Sequence, residues 1–483
     1  ALPLFEETLK LRRAKLGDDH PDTLQSRNNL AAGYWDSGKL DLALPLFEET
    51  LKLMKAKLGD DHPDTLTSMG NLAGCYWAAG KLDLALPLFE ETLKLKKAKL
   101  RDDHPDTLQS MNNLAEGYRA AGKLEQALSL HEETLKLRRA KLGDDHPHTL
   151  QSMGNLALGY HSARKFDLAL PLYEETLKLK KAKLGADHPD TLQSMNNLAG
   201  CYWAAGKLDL ALPLFEETLK LKKAKLGPDH PSTLTSMNNL ARCYWSSKQL
   251  DKSVPLFEEL LPIQAKKLGR EHPSTQVTVA NLGVNYKDAG RLAEAIPLLE
   301  EAYRASRKVS DLQWVGDPLL DAYTKANKPA EAKKLIDELL TDTRKQLPND
   351  SPQLAGQLAS FSMTLLEMKA FADAEPLLRE CLAIREKKEP EVWSTFNVMS
   401  MLGGALLGQK KYADAEPLLL KGYEGMKARE KTIPPQGSTR IPEALDRLIE
   451  LYAATNKPEE AKKWQAERAK YSAPAGKAPE ANK

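Results

Sequence analysis

The sequence predicts an all-α protein, a right-handed α-α superhelix of stacked helix pairs, and two observations carry that prediction. The dipeptide His-Pro recurs every 42 residues, at His20, His62, His104, His146, His188, His230 and His272, and nearly everything between recurs with it. A period of that length marks an array whose units bury their apolar faces only against their neighbours. Within each period apolar residues fall at helical three-to-four spacing, interrupted once by a Gly-Lys turn.

The unit from His62 to Asp103 shows each element in order. Pro63 suits the first turn of a helix because its missing N–H has no partner there, and Asp64 puts negative charge at the positive helix end. Leu66, Met69, Leu72, Ala73, Tyr76 and Trp77 then line one face of a helix A of about 14 residues, ended by Gly80 in the left-handed conformation. Asp83 is placed to cap helix B, whose apolar face is Leu84, Ala85, Leu88, Phe89, Leu93 and Leu95. On this reading Pro87 lies near the end of the first turn, Glu90 and Lys94 form an i,i+4 pair, and the helix stops just past Leu100.

Two antiparallel helices carrying Leu72, Ala73, Tyr76, Gly80, Ala85 and Phe89 at these spacings resemble the tetratricopeptide repeat. The unit departs from the 34-residue family form by about eight extra residues in helix B and its loop, and by Thr92 where a small Ala is usual. A 42-residue unit with Asn-Asn-Leu-Ala, Ala-Leu-Pro-Leu and Leu-Gly-x-Asp-His-Pro looks like the kinesin-light-chain subtype over residues 1–305. Downstream the period loosens, and Tyr323-Pro329-Ala332, Phe371-Ala374, Tyr412-Ala415 and Tyr452-Pro458-Ala461 mark four divergent helix pairs over 306–471. Thr432 to Ser438 reads as the longest loop, and 472–483, rich in Ala, Pro and Lys, as a disordered tail. The stretch from Glu375 through Tyr412 to Lys431 looks like the C-terminal part of planctomycete-type bacterial proteins, in which such repeats often follow a serine/threonine protein kinase domain. That resemblance implies an alternative role as the regulatory or substrate-recruiting region of such a kinase. Ala1 starts in the phase of Ala43, in mid-repeat, so upstream sequence is expected and the face Leu2, Phe5, Leu9 and Leu16 has no helix A of its own.

Composition excludes several function classes. A net charge of +2 with 28% charged residues implies no strong attraction to nucleic acid or anionic membrane. No apolar run approaches the ~20 residues of a membrane span and no signal peptide is seen, so a cytoplasmic protein is expected. Cys75, Cys201 and Cys243 share one repeat phase and Cys381 stands alone, so no metal-ligand spacing exists and reduced, buried thiols are expected. The His-Pro histidines belong to successive repeats, about 10 Å apart at normal helix separation, too far to share one ion. His131 replaces a phenylalanine and has no second zincin histidine, and Ser162 to Lys165 matches a serine-lysine pattern in a turn. No phosphate loop, nucleophile elbow or kinase signature occurs. No catalytic residue, metal or cofactor is therefore expected.

The positions where near-identical repeats differ point to a binding surface. Helix A varies in the series Ala32, Gly74, Glu116, Leu158, Gly200, Arg242, Val284 and in the series Trp35, Trp77, Arg119, His161, Trp203, Trp245, Lys287, while helix B stays almost constant. In the resembled family these positions line a concave groove. Alongside run a complete asparagine row (Asn29, Asn71, Asn113, Asn155, Asn197, Asn239, Asn281) and a partial one (Asn28, Asn112, Asn196, Asn238). The complete row is read as tying helices together and the partial row as bonding the backbone of a bound peptide. Arg119, His161, Arg242 and Lys287 make the groove mildly basic, so partner proteins or peptides with a mild acidic preference are expected.

Overall fold

The structure, a computed structural model, describes residues 2–471, and the tail expected over 472–483 lies outside them. Among the described residues there are 23 α-helices, one followed by eleven tandem pairs, and no strand. Two compact units divide the chain, Ala1–Ser253 and Val254–Lys483. The first begins with α1 (Leu2–Leu16), followed by the pairs α2 (Pro21–Asp36) and α3 (Leu40–Leu58), α4 (Pro63–Ala78) and α5 (Leu82–Leu100), and α6 (Pro105–Ala120) and α7 (Leu124–Leu142). The series continues with α8 (Pro147–Ser162) and α9 (Phe166–Leu184), α10 (Pro189–Ala204) and α11 (Leu208–Leu226), α12 (Pro231–Ser246), and then α13 (Leu250–Leu268), in which the division falls.

Helix A is 16 residues long, starting at the proline as expected and running on to Ala78. The histidine before that proline caps it: His62 Nδ1 accepts the N–H of Asp64 at 3.2 Å, and the same bond recurs at all seven His-Pro sites. One otherwise orphaned N–H is satisfied by the histidine while the proline removes another. Gly80, at φ +73°, closes the helix as expected.

Helix B starts earlier than expected. Leu82 is its first residue, Lys81 precedes it without a side-chain cap, and Asp83 lies inside the first turn, where it acts on the helix dipole. Pro87 therefore falls in the second turn and forfeits one intrahelical bond. The buried face is correspondingly rotated: Ala85, Leu86, Phe89 and Leu93 are in the core, whereas Leu84 is 46% exposed. Thr92 is buried and satisfies itself, its Oγ1 donating to the Leu88 carbonyl at 2.7 Å. Ala73 and Ala85, both fully buried, meet where helices A and B cross, and Leu108, Met111 and Leu114 of the next helix A complete the cluster.

Polar bonds stitch successive repeats on the surface. Tyr76 donates to Glu48 at 2.7 Å, Tyr118 to Glu90 at 2.8 Å, Tyr160 to Glu132 at 2.7 Å and Tyr202 to Glu174 at 2.6 Å. Glu90, expected to serve Lys94 on its own helix, thus accepts from the next repeat. The basic run pairs with acids, Lys97 with Glu133 at 3.2 Å and Lys99 with Asp61 at 2.9 Å. At α1, Leu2, Phe5 and Leu9 are half-buried, Leu16 is exposed, and no residue of the helix is fully buried.

In the second unit α14 (Pro273–Asp288) and α15 (Leu292–Ala305) keep the repeat form, and a 3-10 turn at Ser310–Val315 then breaks the period. Four pairs follow: α16 (Gly316–Lys325) and α17 (Pro329–Gln346), α18 (Pro352–Glu367) and α19 (Phe371–Lys388), α20 (Trp393–Gly408) and α21 (Tyr412–Ala428), α22 (Arg440–Ala454) and α23 (Pro458–Ala469). The connection between α21 and α22, read as a loop, contains short 3-10 turns at Glu430–Thr432 and Pro435–Gly437.

Arg101 occupies the helix-B stop at φ +78° and ψ 160°, where other repeats place glycine. That backbone region costs a side-chain-bearing residue ~1–3 kcal/mol, so Arg101→Gly should raise stability by about 1 kcal/mol in denaturant unfolding. Burial, and then the bond to the glutamate, push the hydroxyls of Tyr76, Tyr118, Tyr160 and Tyr202 up to about 12. The folded chain holds these protons more tightly than the unfolded one, so this contribution is complete below about pH 10 and declines as pH rises towards 12. Thermal midpoints should fall across that window, and less steeply in Tyr202→Phe.

Candidate functional site

Within the first unit successive helices A touch one another directly, so their shared face is the narrower, inner one. Members of the two variable series meet across it, Trp35 with Gly74 and Trp203 with Arg242. Trp35 is half-buried, and a Cβ on Gly74 of the following helix A would fall 2.7 Å from its Cη2. Its ring edge meets Phe47 with centroids 6.5 Å apart. Trp203 carries the Arg242 guanidinium over its ring at 5.0 Å. Trp77 is 40% exposed, and Trp245 is half-buried. The two series are thus coupled, since the large residue of one repeat faces the variable residue of the next.

The expected basic character is largely compensated. Glu116 Oε2 takes the Arg119 guanidinium at 2.9 Å, and its Oε1 lies 3.2 Å from Nε2 of the buried His131. Burial raises the Glu116 carboxyl, but His131 and Arg119 outweigh it and hold the group below its ordinary value. Burial holds the His161 imidazole below its ordinary range, against its charged form. Lys287, in the second unit, pairs with Asp321 at 2.6 Å and with Asp288 at 3.3 Å. Arg242 on its tryptophan is the cation left to the face of the first unit among the four expected ones.

The partial asparagine row requires a correction. Asn28, Asn112 and Asn196 are buried, and Asn238 is half-buried. Asn112 Oδ1 accepts from Asn155 at 2.6 Å, and Asn196 Oδ1 accepts from Ser236 at 3.3 Å and Asn239 at 3.4 Å. Asn112 and Asn196 thus join repeat to repeat, although Asn196 also lines a cavity of this face. The complete row is the more open: Asn113 and Asn197 are half-buried and accept from Gln109 and Gln193 on their own helices.

Two adjoining cavities open on this face, of about 580 Å³ and about 280 Å³, sharing Leu158, Tyr173 and Asn197. The smaller gathers His161, Asn196 and Trp203 from the sequence-derived set. Tyr173 was not in that set. The signal was present, because Tyr173 and His131 replace the phenylalanine that other repeats keep as Phe47, Phe89 and Phe215. All four cysteines are buried, and burial pushes Cys75, Cys201 and Cys243 up to about 11, which leaves them unreactive at neutral pH.

Comparison with known proteins defines the class. The tetratricopeptide repeat family model matches residues 1–56, 28–98, 106–182, 164–224, 190–266 and 245–308, and a second tetratricopeptide repeat model matches 354–388. A PPR repeat model matches 319–342. The chain belongs to the tetratricopeptide repeat family. Its repeats are of the kinesin-light-chain kind: two crystal structures of a Podosopora anserina protein with nearly identical TPR-like repeats, described as a kinesin light chain, are 30% and 32% identical to it. Each covers 43% of this chain and 98% of its own, with TM-scores of 0.40 and 0.38. BtubC (BKLC) from P. vanneervenii is 24% identical over 47% of this chain and 91% of its own, with a TM-score of 0.40. No curated protein matches. Among the described residues no helix is long and apolar enough to cross a membrane.

Gly74 and Gly200 occupy the same phase in different surroundings. A Cβ at Gly200 would meet nothing within 4 Å. Gly200→Ala should therefore stabilise the chain by up to about 1 kcal/mol through helix propensity, whereas Gly74→Ala, which collides with Trp35, should lower the denaturation midpoint.

Proposed function

We propose that this chain is a non-catalytic protein-interaction scaffold that holds extended segments of partner proteins along the helix-A face of its first unit. The observation that carries this reading is the segregation of variation: side chains differ from repeat to repeat on that face while the helix-B scaffold repeats almost unchanged. Neutral drift on a solvent face would favour small polar residues, yet four of the seven places in one series hold tryptophan. Large aromatic anchors of this kind dominate the energetics of protein interfaces.

The division of labour follows from the geometry. Trp77, the most open of the four tryptophans in this series, offers an accessible ring; Trp203 offers a ring already stacked with Arg242. Asn113 and Asn197 supply amides that can meet a peptide backbone whatever its sequence. A mild preference for acidic segments rests on Arg242, since Arg119 is engaged by Glu116 and burial disfavours the charged form of His161.

Peptides selected from a random library on the full chain test this. Their binding, measured by calorimetry, should weaken by about 2 kcal/mol in Trp77→Ala or Trp203→Ala, and should barely change in Lys94→Ala on the exposed side of helix B. Selected peptides indifferent to both tryptophans would place the binding surface elsewhere.

A further inference from the structure

The break in the period, in the second unit, builds a cavity of a different kind. Tyr323 donates to Glu300 at 2.8 Å and Arg307 meets Glu338 at 3.3 Å. These are the bonds of Tyr76 to Glu48 and of Lys55 to Glu91 in the regular array, but they span 23 and 31 residues instead of 28 and 36. The register they fix sets Tyr303 where α3 has Leu51 and Lys334 where α5 has Pro87. From α3 to α13 every helix B buries a leucine at the first of these positions, and most carry proline at the second. Both replacements belong to this one place in the fold.

Tyr303 and Lys334 line a cavity of about 600 Å³ between α15 and α17, with Leu319, Tyr323 and Leu335 buried beneath it. Its three acids are already engaged: Glu300 by Tyr323, Glu338 by Arg307, and Glu331 by Lys328 at 3.5 Å. Glu301, one turn before Arg304, is held by Arg270 and Gln276. Among the described residues, Arg304 on one wall and Lys334 on the other have no ion-pair partner, and both are exposed. The Arg307–Glu338 pair, one turn further along both helices, shows that these two cations stand at the same level of the cleft. Like charges on facing walls repel unless an anion lies between them. We propose that this cavity binds an aryl phosphate, with the phosphate between Arg304 and Lys334 and the ring on Tyr303 and the leucines. A phosphate dianion answers two cations and offers oxygens to both walls, which a single carboxylate does less well, and an apolar floor with a few convergent polar groups is the usual make-up of a small-molecule site. The same chemistry is presented by a free aryl phosphate and by a phosphotyrosine side chain. The site is independent of the helix-A face proposed for partner segments in the first unit.

The test is titration of phenyl phosphate into the full chain at low salt, followed by ligand-observed NMR and calorimetry. One site with Kd on the order of 1 mM is expected for a ligand of this size. Arg304→Gln and Lys334→Gln, both at exposed positions where folding is not at risk, should each weaken it at least about fivefold, whereas Lys94→Gln, an exposed lysine of the regular array, should leave it unchanged. Inorganic phosphate should bind at least about tenfold more weakly, because it gains nothing from the ring floor. Absence of binding, equal binding by the Arg304 and Lys334 variants, an equal loss in Lys94→Gln, or inorganic phosphate binding as tightly as phenyl phosphate overturns the site. N-acetyl-phosphotyrosine amide separates the sources: binding at least as tight as that of phenyl phosphate, lost in the same two variants, assigns the site to a partner's phosphotyrosine, and weaker binding assigns it to a free aryl phosphate.

Discussion

The close approach of helix A to helix B is the constraint on which the rest depends. In repeat after repeat the crossing point is held by alanines with no exposed surface, Ala31 with Ala43, Ala73 with Ala85, Ala115 with Ala127. Where alanine gives way to Ser253, its hydroxyl donates to the Ala241 carbonyl at 2.9 Å, a bond to the backbone of the facing helix that only near contact permits. The second unit obeys the same rule with glycine: a Cβ on Gly403 would lie 2.7 Å from Leu419 Cγ. Interiors are close-packed, so larger side chains at these points would push the helices apart and break the leucine and phenylalanine contacts beside them.

Once the pairs are set, stacking is maintained by apolar clusters shared between repeats and by bonds at the rim. Phe89 and Leu93 pack with Leu108 and Met111 of the next unit, and Tyr118 reaches back to Glu90. The exposed ion pairs contribute little individually, but they spend the charges of helix B on one another. This explains why a chain with so many lysines keeps a nearly neutral surface and leaves its distinctive chemistry to helix A.

That chemistry is organised in pairs that cross from one repeat to the next. Trp35 and Gly74 fit as bulk against absence of bulk, and Trp203 and Arg242 as ring against cation. Glu116, Arg119 and His131 form a polar group in a place that other repeats fill with hydrocarbon. The middle of the first unit is therefore the most individual part of the array, and the cavity beside Tyr173 is lined by His161, where four other repeats carry tryptophan.

The sequence by itself determined the period, the helix pairs, the small residues at their crossing and the face on which variation gathers. Each of these follows from local spacing, and Pro63, Gly80 and Ala85 carry their conformational or steric meaning wherever they occur. Sequence spacing misplaced the start of helix B, because Asp83 looks like a cap but the turn from Gly80 already closes at Lys81, and the burial of Leu84 and Leu86 was exchanged with it. Nor could spacing show that Asn112 and Asn196 bond the neighbouring helix A. Only the tertiary structure decided these matters, and it alone showed that Trp35 is covered while Gly200 is bare. Which atoms lie opposite one another across two repeats depends on how helices some forty residues apart are set together, and no single repeat contains that information.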